Sequence, residues 1–73
     1  MKYIIKHNLP VNFQDSMKEY PSHRNARLAF FSFSTILADK YYIKVLYREK
    51  PLRGTICVEI DGFYYYVELY QEP

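Results

Sequence analysis

The stretch Ile56-Cys57-Val58-Glu59-Ile60-Asp61-Gly62-Phe63-Tyr64-Tyr65-Tyr66-Val67 decides the fold. Asp61-Gly62 suits a two-residue type I′ turn, in which both central residues take positive φ and Asp and Gly tolerate it best. Such a turn sets the register. It pairs Ile60 with Phe63, Val58 with Tyr65 and Ile56 with Val67, all on one face that Leu69 continues. The other face carries Thr55, Cys57, Glu59, Tyr64, Tyr66, Glu68 and Tyr70. An aliphatic face backed by a polar-aromatic one is the pattern of a sheet buried on one side.

The pattern extends upstream. Lys50-Pro51-Leu52-Arg53 reads as a four-residue loop closed by Gly54, with Pro51 setting φ. Glu49 then faces Gly54, and Tyr47, Val45 and Ile43 oppose Ile56, Val58 and Ile60 on the aliphatic face. Lys44 falls opposite Glu59 on the other face, a favourable cross-strand pair. The expectation is a three-stranded antiparallel meander over residues 41–49, 54–60 and 63–70. Its last strand is expected at the sheet edge unless the first strand of the chain lies against it. With only Glu68 charged, such an edge invites a second strand and hence a homodimer.

Before the meander the signals are shorter. Lys2 to His7 reads as a strand ended by Asn8-Leu9-Pro10. Residues 11–21 suggest one or two helical turns: Asn12 can cap, Asp15 follows three residues later, and Phe13, Met17 and Tyr20 form a stripe. The main helix is expected over about 22–39, capped by Ser22 or Asn25. Ala26, Ala29, Phe30, Phe33, Ile36 and Leu37 share one side of it at 100° per residue. A competing pattern is the period-two alternation of Phe31-Ser32-Phe33-Ser34-Thr35, which as a strand makes the fold a small all-β barrel. The helix leaves Leu28 and Phe31 on its back, covered by the segment before it, by the first strand, or by another chain. Gln71-Glu72-Pro73 reads as a frayed end. Together these elements predict one small α+β domain over 1–73, with the helix on the aliphatic face of the sheet.

Composition narrows the function classes. The chain has 73 residues, is 49% hydrophobic and contains two glycines, so it should fold, near the lower size limit for a self-sufficient core. Cys57 is the only cysteine, which excludes an internal disulfide. Ten Lys+Arg against eight Asp+Glu give a net charge of +2, with the signs interspersed. That is too mild for duplex nucleic acid, where a concentrated basic patch is required. Ile4-Ile5 is too short for a signal peptide, and residues 28–38 are too short and too rich in hydroxyls to span a bilayer. The expected setting is cytoplasmic, with a reduced thiol.

No motif carries catalysis. His7 and His23 stand in no recognisable spacing with Cys57 or a carboxylate, no metal-ligand spacing occurs, and both glycines are assigned to turns, leaving none for a phosphate loop. Neither a metal nor a cofactor is expected. A strand, two helices and three strands is an order similar to that of the small metal-independent ribonuclease toxins of toxin–antitoxin pairs. On that analogy Arg48, Arg53, His23 and Tyr70 would serve. The order is shared without a motif, and this chain is shorter and less basic.

Nine tyrosines and no tryptophan are the unusual feature. Strand propensity accounts for most of them singly. Collected on one sheet face with charges of both signs, Tyr42, Tyr64, Tyr66 and Tyr70 with Lys44 and Arg48 form the composition of a protein interface. Leu28 and Phe31 are the alternative patch, also suited to a homodimer. The expected function is therefore non-enzymatic: a small protein-binding module, an accessory factor or inhibitor of the kind phages and mobile elements encode. The alternative is single-stranded nucleic-acid binding by the same tyrosines, which Glu59 and Glu68 oppose. No membrane partner is expected.

Overall fold

A computed structural model describes residues 1–10, 13 and 15–73. Strands β1 (Lys2–His7) and β2 (Met17–Tyr20) precede helix α1 (His23–Ala38), and β3 (Ile43–Glu49), β4 (Leu52–Ile60) and β5 (Phe63–Glu72) follow it. The five strands form one open sheet in the order β2-β1-β5-β4-β3, each pair antiparallel. The fold is thus a small α+β domain with one helix on one sheet face, and the sheet does not close into a barrel.

The β4–β5 hairpin pairs as its turn requires: Ile60 with Phe63, Val58 with Tyr65 and Ile56 with Val67. Asp61 and Gly62 take φ of 51° and 85°, the left-handed pair that a type I′ turn demands. Ile56, Val58, Val67 and Leu69 are buried. Along β4 burial alternates from Leu52 to Ile60, with Arg53 and Glu59 in solvent between buried neighbours.

The β3–β4 connection corrects the expected loop. The chain reverses at Lys50-Pro51, whose peptide is cis, and Glu49 pairs with Leu52. A cis proline occupies the third position of a four-residue turn, so two linking residues suffice where four were expected. Tyr47 therefore opposes Gly54, Val45 opposes Ile56, Ile43 opposes Val58, and Lys44 opposes Cys57 rather than Glu59. The shift is two residues. Side chains alternate with period two, so every residue keeps its expected face.

Gly54 is accordingly no turn residue. It lies inside β4, buried, beneath the ring of Phe30. Phe30 is the largest fully buried side chain, and Ala26 and Leu37 bury the same stripe of α1 against Ile5, Ile56, Val58, Val67 and Leu69. Ser22 caps α1, its Oγ accepting from Asn25 N–H at 3.1 Å. At the far end Tyr41 N–H donates to Leu37 O at 2.8 Å as the chain leaves for β3. Helix wins over the alternation at 31–35 because Phe30 and Leu37, seven residues apart, bury together, whereas Phe31 and Thr35 stay exposed.

Three further expectations are corrected. Residues 17–20 form a strand, not helical turns: Met17 pairs with Lys6 and Tyr20 with Tyr3. Asp15 takes φ 54°, and Asn12, the expected cap, lies outside the described residues. The tail is not frayed through Glu72, because Glu72 pairs with Lys2, and Gln71 Oε1 accepts from Leu52 N–H at 3.2 Å. Finally β5 is not an edge. It is paired by β4 from Phe63 to Tyr70 and by β1 from Val67 to Glu72, so of the 63–70 edge offered for a homodimer only Phe63 to Tyr66 lacks a strand beside it. The edges are β2, which is short, and β3, where Lys44 and Arg48 guard against strand addition.

Candidate functional site

Among the described residues no helix or strand packs over the other sheet face. Register assembles that face in rows running across the strands. Glu19, Ile4, Tyr70, Arg53 and Arg48 form one row from β2 to β3. Met17, Lys6, Glu68, Thr55 and Leu46 form the next. Tyr66, Cys57 and Lys44 follow, and Glu59 and Tyr64 stand beside Tyr42 at the hairpin end. Tyr42, Lys44, Arg48, Tyr64, Tyr66 and Tyr70, named from the sequence, thus share one surface.

Their exposure is uneven. Tyr42 is 89% exposed, Leu46 75%, Tyr64 64% and Tyr66 46%. Tyr70 is half-buried beside Ile4, which is buried although it faces away from the helix. Leu46, not singled out from the sequence, also stands on this face and is the most exposed aliphatic side chain of the three-stranded meander. Its alternation with Val45 and Tyr47 was the available signal. Asn8 pins the surface at Tyr66: its Oδ1 accepts from Tyr66 N–H at 2.8 Å, and its own N–H donates to Tyr66 O at 3.3 Å. The Tyr66 side chain is presented from a held backbone.

Three shallow concavities mark this face. One of about 360 Å³ is lined by Leu46, Arg48, Arg53 and Thr55 with Tyr47 and Gly54 at its floor. One of about 270 Å³ lies by Lys6, Asn8, Tyr66 and Glu68. The third, about 220 Å³, lies among Tyr42, Lys44, Cys57, Glu59 and Tyr64. Cys57 is a free, half-buried thiol flanked in register by Lys44 and Tyr66.

Leu28 and Phe31 lie on the opposite side of the molecule. Phe31 is partly covered, though by neither of the segments expected. Its ring packs on Tyr47 of β3 at 4.8 Å and edge-on to Phe30 at 5.5 Å. Leu28 stays exposed.

The residues offered for a ribonuclease do not converge. Arg48, Arg53 and Tyr70 point from the open face, whereas His23 opens α1 on the other, with its ring edge-on to Tyr3 at 6.0 Å. A different cluster surrounds His23, unseen in the sequence. Glu49 Oε1 accepts from the Tyr47 hydroxyl at 2.8 Å and from Arg27 Nη1 at 3.4 Å, and Glu49 Oε2 lies 3.1 Å from His23 Nε2. The signal was the i,i+4 pair His23 and Arg27 on the helix and the i,i+2 pair Tyr47 and Glu49 on the strand. The Tyr47 hydrogen bond is the largest influence on Glu49; with Arg27 and His23 it lowers the carboxyl pKa against an opposing desolvation. Desolvation, followed by the Glu49 hydrogen bond, pushes Tyr47 up to about 12. The cluster ties the start of α1 to the end of β3.

His7, the second histidine, is buried against Phe33 at 5.5 Å, and its Nδ1 accepts from Leu9 N–H at 3.1 Å. Among the described residues no group of three or more His, Cys, Asp or Glu can hold a metal ion, and no helix is long and apolar enough to cross a membrane. Comparison with protein-family models, with curated proteins and with solved structures gives no match.

Proposed function

We propose that this protein is a non-enzymatic binding module that docks on a partner protein through the uncovered face of its sheet, as an accessory factor or inhibitor. One observation carries the reading. On the sheet face turned away from α1, four large side chains, Tyr42, Leu46, Tyr64 and Tyr66, stand in solvent between Lys44, Arg48, Arg53 and Glu59. Large amphipathic anchors on a rigid backbone lose little conformational entropy on binding, and mixed charges orient a partner. Glu59 and Glu68 on the same face oppose a continuous phosphate backbone, which places single-stranded nucleic acid second. On the helix side Leu28 stands in solvent, whereas Phe31 rests on Tyr47.

The test is affinity capture from host lysate with nuclease treatment, repeated with the double variant Tyr64→Ala, Tyr66→Ala. The expected result is a stoichiometric protein partner that survives nuclease and is lost with the folded double variant. Retention by that variant overturns the assignment of the face. Capture that depends on nucleic acid and falls steeply with salt selects the single-strand reading instead.

A further inference from the structure

Arg48 and Arg53 are directly opposed across the β3–β4 ladder. Residues so placed have Cβ atoms about 4.5–5.5 Å apart, and like charges there are destabilising. Tyr70 stands next to Arg53 in the same row. The other basic residues towards β2 are matched: Lys2 lies 3.9 Å from Glu19 and pairs in register with Glu72, and Lys6 faces Glu68. Arg48 and Arg53 are not. Among the described residues neither forms an ion pair within 4.0 Å. Glu68 and Glu72 are the nearest acids in register, each one row from Tyr70 along β5, and they already face Lys6 and Lys2. Both arginines instead line the 360 Å³ concavity, with Thr55 and the exposed Leu46 as its remaining open-face walls.

We propose that Arg48 and Arg53, with Thr55 and Tyr70 beside them, form a subsite for a dianionic oxyanion, a phosphate monoester carried by a side chain of the docked protein. The subsite sharpens the reading of the open face as a protein-docking surface and rests on it for the origin of the phosphate. Two guanidinium groups carry two positive charges, which a phosphoryl group matches with close to two negative charges on three oxygens, whereas a carboxylate offers one charge on two. Binding of the dianion removes the repulsion that the empty site bears. Thr55 and Tyr70 add neutral hydroxyl donors, and Leu46 gives an apolar wall for the group that carries the phosphate. Glu68 and Glu72 on the flanking rows disfavour a phosphodiester chain continuing across the face.

The experiment titrates the free protein with phenyl phosphate at constant ionic strength, followed by NMR of the arginine Nε–H and backbone amide signals. Acetate and a single-stranded oligonucleotide serve as the other arms. Expected are saturable shifts at Arg48, Arg53, Thr55 and Tyr70 with phenyl phosphate, and affinity at least about tenfold weaker in Arg48→Gln and in Arg53→Gln, as loss of a charged hydrogen bond implies. Lys18→Gln leaves the affinity within about twofold, since that charge lies on β2, far from the concavity. In the absence of ligand, Arg53→Gln raises the thermal midpoint, because it removes a like-charge pair. A residue with a purely structural role lowers it. Equal shifts with acetate, unchanged affinity in both variants, or tighter salt-dependent binding of the oligonucleotide overturns the proposal. The assay contains no partner protein, so its failure leaves the tyrosine-face reading standing. Failure of the Tyr64/Tyr66 test likewise leaves the anion subsite standing.

Discussion

The ring of Phe30 lies directly on the backbone of Gly54. A β-carbon at Gly54 would stand 2.5 Å from Cζ of Phe30 and under 3.0 Å from both Cε atoms. Phe30 is fully buried and the ring also stacks on Tyr47 at 5.8 Å, so it has no room to retreat.

Gly54→Ala is therefore expected to destabilise the fold by about 1–3 kcal/mol through overpacking. The reduced freedom of the unfolded chain offsets this by only ~0.4–1 kcal/mol. Phe30→Leu removes the atoms that clash, so Gly54→Ala should cost less in that background, a coupling that a double-mutant cycle in urea measures. Additive effects would show that the ring does not decide the need for glycine.

Gly62 poses the opposite case. A β-carbon there meets nothing within 4 Å, but φ is +85°. Gly62→Ala should cost roughly 1–2 kcal/mol from left-handed backbone geometry alone. Asp61→Asn should be nearly neutral, because Asn tolerates that region as well as Asp. Denaturant midpoints of the two variants check this, and equal losses would contradict it.

Tyr47 and Glu49 make stability depend on pH at both ends, the acid end chiefly through their hydrogen bond and the basic end chiefly through desolvation of the Tyr47 hydroxyl, with that hydrogen bond second. Glu49 has its folded pKa lowered, so its contribution is present above the ordinary carboxyl value and is lost as pH falls through the folded one. Tyr47 has its folded pKa raised from 10.0 to about 12, so its contribution is complete below 10 and disappears as pH rises towards 12. Tyr47→Phe keeps the ring against Phe30 and Phe31 and removes the hydroxyl. Its unfolding midpoint should vary less with pH than that of the wild type, in the acid limb and between pH 10 and 12. Parallel pH profiles would exclude the hydrogen bond as the cause.

The central position of β5 predicts the order of amide exchange. Val67 and Leu69 are fully buried and flanked by paired strands, so their amides should exchange only on global unfolding. The amides of β2, a four-residue strand at the edge with no buried residue, should exchange through local opening, orders of magnitude faster. Comparable protection in β2 and β5 would contradict the strand order.

Some of this was legible because it is local. Asp61-Gly62 dictates its own turn, and the turn dictates pairing and faces for ten residues around it. Ser22 caps a helix whose apolar spacing can be counted. Period-two alternation is also tolerant: the register of β3 moved by two residues when Lys50-Pro51 turned more tightly than expected, and Tyr42, Lys44 and Arg48 still reached the open face.

What the chain by itself determined is therefore the meander, the helix and the membership of each sheet face, since these follow from backbone geometry and side-chain period over a few residues. Tertiary structure alone decided the rest. Only the pairing of β1 with β5 removed the expected edge from Val67 onward, and only β2, drawn onto β1, turned an ambiguous segment into a strand. Gly54 became a buried contact because Phe30, distant in sequence, needs its missing side chain. Arg48 and Arg53 became opposed charges because the turn between them uses two residues rather than four. Each of these depends on which distant surfaces meet, and no local periodicity records that.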